Sequence, residues 1–400
     1  MQSDVLITGM GIISALGNNV DENLVSLKLK KSGIGNIKHL DTKHKNEFKV
    51  GEVNLSNPQM LDKLDISTDN YKKYTRTSLL GIIAAKEAFY NAGLNKEDLK
   101  LRIGVISATT VGGMDKTETD YFSKNYKSGF IHTHPSGDPA DKIADFLKIT
   151  GYRTTLTTAC SSAANAIIHG AGLIKHNIVD IVLAGGTDAL CKFTLNGFNS
   201  LMILDKNPCK PFDKDRQGLN LGEGAGFLVM ESDKSAAGRG VTPLCKLSGY
   251  ANANDAYHQT ASSPEGEGAY ISMLNALKMS KFNPDDIDYI NAHGTGTNNN
   301  DLSEGIAIKR IFENKIPPFG STKSFTGHTL GAAAAVEAVI SILAIKHGMI
   351  YPNLNFKNLI DELNLSPETD LKMNVKINNV LSNSFGFGGN NSTLVFSKYE

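Results

Sequence analysis

Cysteine is scarce in this chain, and the spacing of the few that occur excludes two kinds of small stabilised fold. The chain has 400 residues and 4 cysteines, none of which forms a C-x-x-C pair or lies at zinc-finger spacing from a histidine. We therefore expect neither a metal site nor a disulfide framework. Cys191, Cys209 and Cys245 are interpreted as packing residues, and reduced thiols are typical of a cytoplasmic protein.

Net charge and long apolar segments are lacking as well. The 41 basic and 41 acidic residues cancel, so overall charge gives no reason to expect nucleic acid or a membrane as partner. The beginning, MQSDVLITG, has no basic region followed by a long apolar one and predicts no signal peptide. The apolar stretch 332–345 is interrupted by Glu337 and is too short to cross a bilayer. We expect a cytoplasmic globular protein.

The chain also lacks a Pro- or Ser-rich linker. Apolar strand segments alternate with helical ones from end to end, which predicts an α/β fold with covered sheets. Among the helical segments, 115–147 predicts helices joined by the loop HTHPSGDP. The pattern occurs twice, so we expect two halves, 1–242 and 243–400, fused into one body. A first strand at 4–9 ends in Gly9-Met10-Gly11, which indicates an unusual backbone at the strand end. No third glycine stands at dinucleotide-turn spacing, so a dinucleotide site is not favoured.

One segment, 154–177, combines a strand, a run of small residues and a helix. Thr154 to Ala159 has strand-forming residues, and apolar residues from Ala163 onward recur at helical spacing. Cys160 would thus lie on a tight turn at a helix N-terminus, where the helix dipole lowers a thiol pKa. This predicts a nucleophile on an elbow. From the segment alone, a buried packing cysteine is an equal alternative.

Two further motifs place histidines after predicted strands. His293 lies in NAHGTGT and His328 in STKSFTGHT, each among glycines and threonines. Lone histidines are more often structural, but ligands of α/β folds gather at the carboxyl ends of strands. A cysteine with two such histidines indicates a covalent catalytic site.

These strings together resemble a known motif set. TTACSSAANAI, NAHGTGT, STKSFTGHTLGAA and SNSFGFGGNN are similar to the motifs of β-ketoacyl-acyl-carrier-protein synthases of the type II elongating group, which are thiolase-like condensing enzymes. The resemblance implies the thiolase fold, with two similar α/β halves in five layers, α-β-α-β-α, and a homodimer. Thiolases carry a second reactive cysteine where this chain has Gly386-Phe387-Gly388. Initiating synthases use Cys-His-Asn, whereas the third member here is His328.

The resemblance also implies roles for individual residues. Cys160 would take an acyl chain from acyl-carrier protein as a thioester, malonyl-carrier would lose CO₂, and the resulting carbanion would give a 3-ketoacyl product. No cofactor is implied beyond the phosphopantetheine arm of the carrier protein. The backbone N–H groups of Cys160 and Phe387 would form an oxyanion hole, and neutral His293 and His328 would stabilise the enolate. Lys323 would be a supporting lysine and Glu304 its partner. Thr295 and Thr297 would bind the pantetheine arm.

Peripheral roles follow from the same resemblance. Val111 stands where the acyl-pocket gate is expected, with Phe193 or Phe198 as alternative walls. The basic cluster Lys72, Lys73 and Arg76, which Lys206 and Lys210 extend, would attract the acidic carrier protein. A solvated helix start is the alternative for that cluster.

The chain departs from the family pattern at three places, and its pathway is left open. NNN follows GTGT instead of a proline, Ala334 replaces a glycine, and Asn390 replaces a threonine. TTVGGMDKTE is similar to synthases of polyene or polyketide clusters, so fatty acid and polyketide synthesis both remain open. The alternative functions are a non-catalytic partner similar to chain-length factors, which lack the nucleophile, and a thiolase.

Overall fold

The computed structural model describes residues 4–121, 132–313 and 315–400. Its strands are β1 (Val5–Ile13), β2 (Gly35–Asn36), β3 (Lys49–Val50), β4 (Ile103–Ala108), β5 (Arg153–Leu156), β6 (Ile181–Asp188), β7 (Gly224–Ser232), β8 (Cys245–Asn254), β9 (Tyr289–Asn291), β10 (Phe319–Gly320), β11 (Met349–Ile350), β12 (Lys372–Met373), β13 (Asn379–Gly386) and β14 (Asn390–Ser397).

Its α-helices are α1 (Val20–Lys28), α2 (Asn57–Lys63), α3 (Arg76–Asn91), α4 (Met114–Tyr121), α5 (Asp138–Leu147), α6 (Ser162–Lys175), α7 (Lys192–Ser200), α8 (Asp233–Arg239), α9 (Glu267–Ser280), α10 (Asn298–Phe312), α11 (Lys323–Thr326) and α12 (Ala333–His347). Short 3₁₀ turns include Thr68–Lys73, before α3, and Leu330–Ala332, before α12.

The main sheet is built from the same five-strand pattern used twice. Its order is β10-β9-β13-β14-β8-β1-β7-β6-β4-β5. The strand pairings follow the same sequence in both halves when they are counted outward from the centre, with two antiparallel pairings and then two parallel ones. The two series are β1-β7-β6-β4-β5 and β8-β14-β13-β9-β10. The halves join where β1 pairs with β8 through two residue pairs. The predicted pair of similar α/β halves is therefore confirmed, while the boundary at 242 and 243 stays a prediction.

Three buried apolar clusters define the five layers. The central cluster joins α6 and α12 to strands of both halves. A second cluster packs α3 and α5 on the outer face of the first half, and a third packs α9 and α10 on the second. Every residue of α12 from Ala333 to Ile345 is buried, which explains why its sequence is apolar on all sides. The layers are thus α-β-α-β-α, as the thiolase fold requires.

The apolar stretch noted in the sequence, 332–345, lies in α12 and the turn before it. In the described part of the chain, Leu330–His347 is the one helical segment long and apolar enough to cross a membrane, and 89% of it is buried inside the protein. Leu330–His347 is therefore the core helix of the central layer.

The first glycine pair has a packing role rather than a turn role. Gly9 and Gly11 lie inside β1, which runs to Ile13 and so extends four residues past the predicted end at Gly9. A Cβ atom on Gly9 would lie 2.4 Å from the Ala88 carbonyl oxygen, and one on Gly11 would lie 2.1 Å from that of Ala84. The glycines therefore let α3 approach β1 closely, and the interpretation of an unusual backbone at the strand end was wrong.

Most predicted elements are present, with boundaries shifted by a few residues. Helices on both sides of the loop HTHPSGDP are confirmed at α4 and α5, although the part of this prediction at 122–131 lies outside the described residues. Helices α2, α7 and α8 were not predicted. They are short, and their sequences contain Asn, Ser, Gly or Pro, which weakens the helical pattern.

Candidate active site

The predicted nucleophile lies on a strained turn between β5 and α6. Ala159 has φ of +52°, in the left-handed region that non-glycine residues rarely adopt. The Ser162 hydroxyl stabilises this turn, since it accepts from the Thr158 N–H at 2.8 Å and donates to the Ala159 carbonyl at 2.5 Å. Cys160 is thereby held at the head of α6, facing a cavity between the two halves.

Burial sets the protonation of this thiol. Cys160 is only 6% exposed, and burial raises its pKa to about 11, although the Lys323 ammonium and a backbone N–H act in the opposite direction. The predicted lowering of the pKa by the helix terminus was therefore wrong, because loss of hydration outweighs it. The resting nucleophile is a thiol.

Two backbone N–H groups are directed at the sulphur of Cys160, and they are the two groups predicted to form an oxyanion hole. The N–H of Phe387 and that of Cys160 both donate toward Sγ and lower the thiol pKa. The turn that carries Phe387 comes so close that a Cβ on Gly386 would lie 2.9 Å from the Thr158 carbonyl oxygen. Gly388, with φ of +82°, completes this turn without strain.

The two histidines meet beside the thiol. The rings of His293 and His328 lie 5.4 Å apart between centroids at 87°. His328 Nδ1 accepts from the Leu330 N–H at 3.3 Å, which leaves the proton of the neutral ring on Nε2. The pKa of each histidine is held well below its usual value, mainly by burial and also by the Lys323 ammonium. Both are therefore neutral donors, and His293 Nδ1 is buried with no hydrogen-bond partner among the described residues.

The supporting lysine has a different partner from the predicted one. Lys323 Nζ forms a buried ion pair with Glu337, on α12. Glu304 instead accepts from the backbone N–H groups of His293 and Gly294, both at 2.8 Å, and thereby fixes the loop that carries His293. The assignment of Glu304 as the partner of Lys323 was wrong, because its carboxylate is already occupied by two backbone donors.

A cavity of about 240 Å³ leads from the surface to these groups. Cys160, His293 and His328 are buried residues of its lining, to which Thr295, Thr297 and the residues 298–300 also belong. The hydroxyls of Thr295 and Thr297 hydrogen-bond to each other at 2.9 Å. Their pantetheine role stays a prediction.

The predicted acyl-pocket residues divide between this cavity and its surroundings. Phe198 lines the cavity and its ring stacks on that of Phe387 at 5.8 Å. Val111 does not line it: it is partly buried in the loop after β4, next to Thr110. Phe193 is 57% exposed. The gate role of Val111 stays a prediction.

The predicted docking cluster contains two exposed lysines and one buried arginine. Lys72 and Lys73 are exposed at the end of the 3₁₀ turn before α3. Arg76 is buried and forms an ion pair with Glu223, with Nη2 and Oε1 2.6 Å apart. Its inclusion in a docking surface was wrong, because its guanidinium is a core group that also donates to the Leu55 carbonyl.

Comparison with known proteins agrees with this geometry. The family model for the N-terminal domain of beta-ketoacyl synthase matches residues 2–236, and the model for the C-terminal domain matches residues 244–357. The chain belongs to the β-ketoacyl synthase family. A relative from Staphylococcus aureus strain COL, 3-oxoacyl-[acyl-carrier-protein] synthase 2, is 34% identical, covering 99% of this chain and 98% of the relative. The family member described here is a condensing enzyme of the acyltransferase class, in fatty acid or polyketide synthesis.

Solved structures of ketosynthases have the same fold. The ishigamide ketosynthase/chain length factor superposes with a TM-score of 0.93 at 31% identity, covering all of both chains. A ketosynthase in complex with its chain length factor from Xenorhabdus doucetiae gives 0.85 at 32%, covering 99% and 98%. A type II polyketide acyl-carrier protein in complex with its ketosynthase gives 0.89 at 26%, again covering all of both chains.

Three residues of the site were missed by the sequence reasoning. Glu337 lies within an apolar helix, and an acidic residue in such a helix was itself a signal of a buried partner. Asp188 accepts from Thr109, Thr110 and Gly331 and so joins the loop after β4 to the 3₁₀ turn before α12. Asn390 was predicted only to depart from the family pattern, but its side chain accepts a hydrogen bond from Ser161, the residue after Cys160.

Proposed function

We propose that this β-ketoacyl synthase elongates an acyl chain by decarboxylative condensation, with Cys160 as nucleophile. The observation that carries the proposal is the convergence of one thiol, two backbone N–H groups and two neutral histidines on one cavity. The acyl donor and malonyl group arrive on the phosphopantetheine arm of acyl-carrier protein. Side chains and backbone groups carry every step below.

The first step transfers the acyl group. Sγ of Cys160 attacks the thioester carbonyl, whose oxygen becomes negative and accepts from the N–H groups of Cys160 and Phe387. The bond to the carrier sulphur then breaks, and that sulphur receives the proton that the thiol has lost. A thiol pKa of about 11 means that the proton leaves during attack instead of beforehand.

The second step forms the new carbon–carbon bond. Malonyl-carrier loses CO₂, and the electron pair of the broken bond moves onto the thioester oxygen as an enolate. His293 and His328 donate to that oxygen, and loss of one such donor typically costs about 10²–10³ in rate. The enolate carbon attacks acyl-Cys160, the thioester bond to Sγ breaks, and the departing thiolate takes up a proton from solvent water, which leaves 3-ketoacyl-carrier as product.

The partners and location belong to the same proposal. The ketosynthase solved with its carrier protein supports a carrier protein as partner, and we place its docking surface at the exposed Lys72 and Lys73. A homodimer is supported by β5, one of the two edge strands of the main sheet, whose outer backbone groups have no neighbouring strand in the described chain. A heterodimer with a chain length factor, as solved for the Xenorhabdus doucetiae protein, is the second candidate. We place the enzyme in the cytoplasm.

Intact-mass spectrometry of the acyl-enzyme tests the proposal. Incubation with an acyl-carrier protein series should add one acyl mass to the wild type and none to Cys160→Ala. Cys245→Ala, which changes a buried core thiol remote from the cavity, should still be acylated. A normal acyl-enzyme on Cys160→Ala would contradict the proposal, and absence of acylation in the wild type would favour the non-catalytic partner.

A further inference from the structure

A network of amide and hydroxyl groups lies directly behind the nucleophile. Asn390 Oδ1 accepts from Ser161 Oγ at 2.7 Å, from Asn165 Nδ2 at 2.9 Å and from Asn252 Nδ2 at 2.7 Å. Ser161 and Asn165 belong to the start of α6, whereas Asn252 belongs to β8 in the second half of the chain. Asn390 is itself in β14 of the second half, so the link from its Oδ1 to the turn of the nucleophile runs through Ser161 and Asn165, and Asn252 contacts it from within the same half.

The backbone of Asn390 connects to the other side of the oxyanion hole. Asn390 is the first residue of β14, and it pairs with Gly386 across the turn that carries Phe387. On its other edge it pairs with Asn254 of β8. Asn390 is thus joined to Phe387 through the hairpin backbone, and to the residue that follows Cys160 through its side chain.

We infer that Asn390 is a positioning residue that fixes the separation between the backbone N–H groups of Cys160 and Phe387. The inference rests on the proposed function, because these two groups are its oxyanion hole. Such donors must lie about 2.7–3.1 Å from the oxyanion, and a displacement of about 1 Å can cost 10²-fold in rate. The Asn390 side chain joins the turn of Cys160 to the hairpin of Phe387, and it thereby sets the distance between the two N–H groups.

The orientation of the amide follows from its neighbours. Asn165 and Asn252 both present Nδ2 donors, so only the oxygen of Asn390 can satisfy them. The single hydroxyl proton of Ser161 is shared, because the Thr158 carbonyl lies 2.8 Å away. Asn165 provides the second connection, since its Nδ2 also donates to Thr158 Oγ1 at 2.8 Å. Removing the Ser161 hydroxyl should therefore disturb the hole less than removing the Asn390 side chain.

The test compares Asn390→Ala with two matched variants. Asn390→Thr retains one acceptor on a shorter side chain and is the conservative variant. Asn252→Ala removes an exposed donor from the same oxygen and from Asn165 Oδ1, which keeps its bond from Ser392 Oγ, while the contacts of Asn390 with Ser161 and Asn165 stay in place. Circular dichroism and thermal melts select the variants that are folded. Two readouts follow: single-turnover acylation by octanoyl-pantetheine thioester, and the pH profile of Cys160 alkylation by iodoacetamide.

Asn390→Ala should acylate about 10- to 100-fold more slowly, with little change in the KM for the thioester. Its alkylation profile should move to higher pH, because the N–H of Phe387 that lowers the Cys160 pKa is displaced. Asn390→Thr should recover part of both effects, and Asn252→Ala should behave as the wild type. A folded Asn390→Ala with wild-type acylation and alkylation profiles would overturn the inference, as would equal losses in Asn252→Ala. Absence of acylation in the wild type would instead contradict the proposed function, while the alkylation profiles would still decide the role of Asn390.

Discussion

At the scale of single residues, the proposed mechanism assigns His328 to decarboxylation and not to acyl transfer. We expect His328→Ala to accept an acyl group on Cys160 at near the wild-type rate, because the acyl oxyanion is held by backbone N–H groups. Decarboxylation of malonyl-carrier should fall by about 10²–10³, because one of the two neutral donors is lost. Release of ¹⁴CO₂ measures the second reaction and intact mass the first. Wild-type CO₂ release from both His328→Ala and His293→Ala would contradict the assignment.

The same histidines make stability depend on pH. Their pKa values are held well below 6.5 in the folded protein, so below pH 6.5 the unfolded chain binds protons that the folded chain does not. The free energy of unfolding is therefore largest above pH 6.5. It falls below that pH by about 1 kcal/mol per pH unit for each histidine. In urea unfolding between pH 6.5 and 5, His328→Asn should lose less stability than the wild type by about that amount per unit. Parallel pH curves for the two proteins would count against this.

The three side chains that meet at the cavity were predictable from the sequence, but the residues that support them were not. Cys160, His293 and His328 occur in short motifs whose chemistry is local to the chain. Glu337 and Glu304 differ only in which buried donor each contacts, and that depends on how α12 and α10 pack. The protonation of Cys160 was wrongly predicted for the same reason, since burial is a property of the assembled layers.

At the scale of elements, the buried pair at the start of α3 has a role in stability. Glu223 accepts from Arg76 and from the backbone N–H groups of Val53 and Leu190, so it joins α3 to two loops. We expect Arg76→Met to lower the free energy of unfolding by about 3–5 kcal/mol, because it leaves the Glu223 carboxylate buried without its partner. Lys72→Met, a matched change at an exposed site, should remain within about 0.5 kcal/mol of wild type. Urea titrations measure both, and similar small effects would contradict the role.

The elements themselves were predictable where the apolar pattern was long. Strands β1, β6 and β7 and helices α3 and α12 are long and almost fully buried, so packing reinforces their pattern. Glycine was the common source of error. At Gly9 and Gly11 the sequence could not distinguish a turn from close helix–strand packing, because each of these situations requires a residue without a Cβ atom.

At the scale of the whole molecule, a protein of zero net charge must attract an acidic carrier through a local patch. Reversing the charge of Lys72 and Lys73 to glutamate should raise the KM for carrier-bound substrate by about tenfold and reduce its salt dependence. A small pantetheine thioester lacks the acidic body, so its KM should change little. Steady-state kinetics with the two donors at two salt concentrations measure this. Equal losses with both donors would show that the patch does not bind the carrier.

The two halves depend on each other because they share their central layer. Helix α6 comes from the first half and α12 from the second, and each packs against strands of both. Separation at 242 and 243 would expose the apolar surface of both helices. The two halves are therefore repeats within one folding unit.

The repeat also determines how many acyl groups one chain can hold. Leu330, just before α12, has the same φ of +52° as Ala159 before α6, so the fold contains two equivalent elbows. Gly331 occupies the place of Cys160 in the second, where a Cβ would lie 2.7 Å from Asp188 Oδ2 and 3.0 Å from the backbone of Thr109 and Thr110. That elbow has no room for a side chain. If Cys160 is the nucleophile, we therefore expect one acyl group per chain despite the internal symmetry.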